Sequence, residues 1–101
     1  LGYLYENMVA QMLYATGHKL FYYTFPKLNS SHNYEIDFLI ANRNKICPIE
    51  VKSSGYKTHA SIDAFANKFS GKTGQRYLVY TKDLRKEGEL LCLPIYMTMF
   101  L

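Results

Sequence analysis

Two short stretches hold the residues that could do chemistry. They are Tyr34-Glu35-Ile36-Asp37-Phe38-Leu39-Ile40 and Pro48-Ile49-Glu50-Val51-Lys52-Ser53-Ser54. Each is rich in β-branched or aromatic residues and reads as a strand. The polar tract Ala41-Asn42-Arg43-Asn44-Lys45 between them suits a hairpin loop. Side chains alternate along a strand, so Glu35 and Asp37 are expected on one face and Ile36 and Phe38 on the other. The same rule sets Glu50 and Lys52 opposite Ile49 and Val51. Pairing the two apolar faces brings three carboxylates and an ammonium together. Two carboxylates ~4 Å apart repel by about 4 kcal/mol at an effective dielectric of ~20. A divalent cation offsets that repulsion, and hard oxygen ligands suit Mg2+ or Mn2+. The lysine beside them fits the task of holding a phosphate or a water.

Other elements must position this pair. Residues 3–16 read as a helix, with Tyr5, Val9, Met12, Leu13 and Thr16 on one stripe and Gly17 as a stop. Glu6 borders that stripe. Lys19 to Phe25 reads as a strand closed by Pro26, followed by a polar loop from Leu28 to Asn33. After a loop at 54–57, a second helix is expected at about 59–70, with Ile62, Phe65, Ala66 and Phe69 at helical spacing. Arg76 to Thr81 reads as a strand, Lys82 to Glu89 as a charged turn region, and Leu90 to Pro94 as a last strand. The apolar tail from Tyr96 to Leu101 is extended or a short helix. The fold class is therefore α/β, a mixed sheet flanked by helices in the order α-β-β-β-α-β-β. The second helix makes a crossover, right-handed if its strands are parallel.

The totals set bounds. A length of 101 residues suits one domain, spanning 1–101. No stretch is plain enough to span a membrane, and no secretory signal is present. Twelve Lys and Arg against eight acids give a net charge of +4, compatible with a polyanion partner. Cys47 and Cys92 show no Cys-x-x-Cys spacing and read as idle thiols in a reducing cytoplasm. His18, His32 and His59 have no spacing for a zinc site. The chain starts at Leu1 inside a helical pattern, and is expected to be a piece of a longer protein.

Taken together, Glu6 on the first helix, Asp37 in Glu-Ile-Asp-Phe, and Glu50-Val51-Lys52 resemble the PD-(D/E)XK nuclease superfamily, which has the restriction-endonuclease-like fold. The spacing of 13 positions from Asp37 to Glu50 resembles that of archaeal Holliday junction resolvases. A closer resemblance is to the uncharacterised domain that follows the ATPase module in prokaryotic AAA-type ATPases. It is carried by Glu6 to Gln11, Glu35 to Ile40, Pro48 to Ser53 and Pro94 to Met97, and covers nearly the whole chain. The superfamily resemblance implies that Asp37, Glu50 and the Val51 carbonyl hold Mg2+ or Mn2+. Lys52 would orient the attacking water, and Glu6 would reach the metal through water or complete a second site. The implied reaction is in-line hydrolysis of a DNA phosphodiester. The implied partners are DNA and an upstream AAA-type ATPase domain, and a homodimer is compatible with the resemblance.

Plainer readings stand beside these. Asp37, Glu50 and Lys52 could form a solvated sheet face with an ordinary Lys–Glu pair. The helix partner tips the balance toward a metal site. Glu6 is equally explained as an acid favoured near a helix N-terminus. Lys57, Lys68, Lys72 and Arg76 could touch phosphates, and a solvated basic face explains them as well. Members of the superfamily that have lost catalysis make a second function class, an idle nuclease-like fold used for DNA binding or protein docking.

Overall fold

The structure is a computed structural model that describes residues 2–52 and 60–101. The expected loop at 54–57, with Lys57, and also Ser53 and His59, lie outside the described residues. Helix α1 spans Gly2–Ala15, strands β1, β2 and β3 span Phe21–Pro26, Asn33–Asn42 and Lys45–Val51, and helix α2 spans Ala60–Lys68. Strands β4, β5 and β6 follow at Arg76–Tyr80, Arg85–Glu87 and Leu90–Pro94, and a 3-10 helix covers Ile95–Phe100.

The strands form a six-stranded mixed sheet in the order β1-β2-β3-β4-β6-β5. β1, β2 and β3 are antiparallel neighbours, β3, β4 and β6 run parallel, and β5 returns antiparallel to β6. The α2 crossover thus joins the parallel strands β3 and β4, as the sequence order requires. Two connections differ from expectation. The charged region 82–89 contains β5, a short strand of three exposed residues that pairs antiparallel with the β6 edge and carries an Arg85–Glu87 ion pair. The β2–β3 connection is also tighter than expected. Asn42 and Lys45 still pair, so only Arg43 and Asn44 turn, and Arg43 takes a φ of 59°, a left-handed conformation that is uncommon away from glycine.

The core has two parts, one on each sheet face. On the first face Val9 and Leu13 of α1 pack with Phe38, Ile40, Cys47, Ile49, Val79 and Leu93. Ile95, Met97 and Leu101 seal this side, and Thr98 is fully buried. On the second face Ile62 and Phe65 of α2 pack with Phe25, Ile36, Leu78, Tyr80, Leu90 and Cys92. The expected α2 stripe is present, with Phe69 packed against it. Thr16 departs from the expected α1 stripe. It is exposed, and its hydroxyl bonds back to the carbonyls of Met12 and Leu13, as threonine does near a helix end.

Ile36 and Phe38 lie on opposite faces, where strict alternation expects them together. The register explains this. Tyr23 pairs with Ile36 and Phe21 with Leu39, so two steps on β1 face three on β2. A β-bulge therefore sits on β2 around Asp37, and it changes the phase of the strand. The two sheet edges also differ. β5 presents Arg85, Lys86 and Glu87 to solvent, whereas β1 presents Phe21 and Tyr22, 56% and 60% exposed.

Candidate active site

The bulge places Asp37 where β2 and β3 part. Their ladder runs from Asn42↔Lys45 to Phe38↔Ile49 and stops there. Past that point the backbone N–H of Val51 donates to Asp37 Oδ2 at 2.8 Å, while the N–H of Lys52 donates to the Val79 carbonyl of β4. Asp37 thus replaces a backbone acceptor at the end of the ladder. In a strand, one residue directs its N–H and C=O to the same side. The Val51 carbonyl is therefore directed toward the gap that Asp37 occupies.

Glu50 stands on the α2 face, opposite Ile49 and Val51, and is only 5% exposed. The Lys52 ammonium lies 3.5 Å from Glu50 Oε2, and the Lys52 side chain is 41% exposed. Burial pushes the Glu50 carboxyl above the usual carboxylate range. The Lys52 charge pulls against it, Asp37 adds to it, and Ser61 in the first turn of α2 offsets part by hydrogen bonding. Burial likewise raises Asp37, against the Val51 hydrogen bond and the Lys52 charge. The shared cause is poor solvation with too little positive charge nearby.

Glu6 of α1 belongs to the same electrostatic neighbourhood. Its carboxyl is raised by partial desolvation and then by repulsion from Asp37 and Glu35. Tyr22, on β1 opposite the bulge, is raised by desolvation and then by Glu35, with smaller effects of Asp37 and Glu6. Asp37 is thus coupled to two groups, Glu50 with Lys52 on the α2 side and Glu6 with Glu35 on the α1 side. Tyr22 and Ser61 join them without a sequence signal that could have marked them. Ser61 sits inside the helix start, and Tyr22 is one of ten tyrosines.

The basic residues scatter. The Lys72 carbonyl accepts from Ile46 at the opposite end of β3, about 20 Å along the strand from Lys52 at ~3.3 Å per residue. Arg76 lies 3.9 Å from Asp63, an ion pair in its own right. Lys68 lies at the far end of α2 from Ser61.

The donor set suits a hard dication in one respect and limits it in another. Asp37, Glu50 and the Val51 carbonyl are oxygen donors, and both carboxyls are short of counter-charge. Among the described residues no group of three or more His, Cys, Asp or Glu could hold a metal ion. An ion here would take two carboxylates and keep much of its water, the habit of Mg2+. Among the described residues no helix is long and apolar enough to cross a membrane.

No curated protein matches the chain. Among protein families, residues 1–97 match DUF4143, a domain of unknown function. The match takes in both helices, the whole sheet and every residue of the fork. The chain belongs to the DUF4143 family, an uncharacterised domain often found after AAA ATPase modules.

Proposed function

We propose that this domain is a Mg2+- or Mn2+-dependent phosphodiesterase acting on DNA, with a site of the PD-(D/E)XK kind on a restriction-endonuclease-like fold, attached to an AAA-type ATPase. The observation that carries the reading is the fork. A bulge-borne Asp37 accepts from the N–H of Val51, next in the chain to buried Glu50 and to Lys52, where the β2–β3 ladder ends.

Asp37, Glu50 and the Val51 carbonyl would hold the ion. When bound, it supplies Lewis acidity and a water of lowered pKa. Lys52 would donate to a phosphate oxygen and orient the water, and its exposed half leaves it reachable by substrate. Glu6 would accept from water at the rim. Hydrolysis would form a bond from the water oxygen to phosphorus as the bond to the leaving sugar oxygen breaks; the attacking water gives up a proton to solvent, and the leaving oxygen takes one from solvent.

A second reading has its own observation. Glu50 Oε2 is already engaged by Lys52, and no third carboxylate joins the pair among the described residues. On that reading the fork is idle and the domain serves as a DNA-binding or protein-docking module. Calorimetric titration with Mn2+, beside cleavage of labelled linear and branched DNA, separates the two. The hydrolytic reading expects binding heat that Glu50→Gln removes and cleavage that Asp37→Asn and Lys52→Met abolish. Heat or cleavage unchanged in these variants would refute it.

A further inference from the structure

We infer that the groove between the start of β2 and the α2 helix is a binding subsite for a single-stranded nucleic acid, leading into the fork. The inference rests on the proposed hydrolytic reading for its link to catalysis, and on the groove's own chemistry for binding. The groove measures about 530 Å3 and is lined by Phe25, Leu28, Tyr34, Ala64, Asn67 and Lys68, with Pro26 at its edge. None of these residues is acidic.

Two ammonium groups stand over its rings. Lys68 Nζ lies 5.1 Å from the Phe25 ring centre and 5.7 Å from that of Tyr23, and donates to the Tyr23 hydroxyl at 3.2 Å. Lys27 Nζ lies 5.1 Å from the Tyr34 ring centre. Neither forms an ion pair with a carboxylate among the described residues. These cations rest on aromatic faces on long flexible stems, so an anion can recruit them without breaking a salt bridge. Half-buried Tyr34 packs at a tilt against Phe25, 5.1 Å between ring centres, so a base would stack on it in place of the Lys27 ammonium, and Leu28, 93% exposed, lines the groove beside it. Rings flanked by lysines that meet no carboxylate among the described residues, beside an amide that can meet base edges, match a strand with unstacked bases. A rigid duplex hides its bases and would meet only the lysines.

Both walls of the groove run into the fork. Along β2, Tyr34 precedes Glu35 and Asp37. Along α2, Ser61 reaches Glu50, and Ala64 and Lys68 follow at helical spacing on that stripe. From Ser61 to Lys68 is about 10 Å at ~1.5 Å per residue, the reach of a short stretch of strand. The fork would then receive a backbone whose flanking bases are held in the groove.

Binding is measured by fluorescence anisotropy of a labelled deoxythymidine oligonucleotide of about ten nucleotides, with EDTA present so that no cleavage occurs. Tyr34→Ala is expected to weaken binding about tenfold and Tyr34→Phe to preserve it. Tyr34→Leu, which keeps the apolar bulk and guards against misfolding, should weaken binding as Tyr34→Ala does. Lys27→Ala and Lys68→Ala should each lower the slope of log affinity against log salt by about 0.7. An abasic oligonucleotide of equal charge should bind several-fold more weakly. Equal binding of the abasic strand, of duplex or of polyglutamate, or indifference to Tyr34, would overturn the subsite. If Tyr34 and Lys68 govern binding but Mn2+ produces no cleavage, the hydrolytic reading falls and the subsite stands. Cleavage with binding indifferent to these residues gives the reverse result.

Discussion

Replacing Lys52 by methionine tests whether Glu50 is held charged by its neighbour. At 3.5 Å the pair's gross attraction is about 5 kcal/mol at an effective dielectric of ~20. The Lys52 side chain is 41% exposed, so solvent screens most of this. The loss should lie between the values for exposed and buried pairs, about 1–2 kcal/mol. For a domain of this length each kcal/mol is worth roughly 4–8 °C in Tm. Lys52→Met should therefore melt about 4–16 °C below the parent at pH 7, read by circular dichroism in EDTA. The sign of the pH dependence follows from the raised Glu50 pKa. A folded state that holds the proton more tightly than the unfolded chain has a stability contribution that is full below the unfolded value of 4.5 and lost as pH rises through the folded value. Lys52 limits that loss, so the variant's deficit should grow as Glu50 ionises and vanish below pH 4.5. An undiminished deficit at low pH would refute the pairing argument, as would no deficit at pH 7.

Further expectations follow from single contacts. Asp37→Asn keeps an acceptor for the Val51 N–H while removing a poorly solvated charge, so its Tm should rise at pH 7. By the same sign argument the gain should disappear below the unfolded value of 3.8. Gly74→Ala would set a methyl 2.9 Å from Cys47 Sγ and 3.0 Å from Lys45 Cβ, costing about 1–3 kcal/mol by urea denaturation. Thr98 is fully buried, and its hydroxyl finds no partner among the described residues. Thr98→Val should therefore stabilise the fold by about 1 kcal/mol in the same assay.

Much of this arrangement was legible from residue order. Helical spacing at Ile62, Phe65 and Ala66 located α2, and short apolar runs bounded by polar or turn residues located β3, β4 and β6, because burial dictates both. The nearness of Asp37, Glu50 and Lys52 followed from those elements, but the expected convergence of a third carboxylate did not, and none joins them among the described residues. The phase change at Asp37 did not follow either. A bulge depends on how β1 pairs with β2, and period-2 reading of Ile36 and Phe38 has no term for a partner strand. β5 was equally silent, since Arg85, Lys86 and Glu87 bury nothing and owe their conformation to β6. Tyr22 and Ser61 join the fork through tertiary placement alone.

The unlike margins of the sheet bear on self-association. The β5 rim is short and charged, which discourages a neighbouring strand from docking there. Among the described residues, the β1 rim is the other edge of the sheet and carries exposed aromatic side chains. Among the described residues, backbone-to-backbone joining of two copies would thus have to run through β1, and each copy then turns its charged rim outward. Such contact closes at a pair and gives no route to a growing filament.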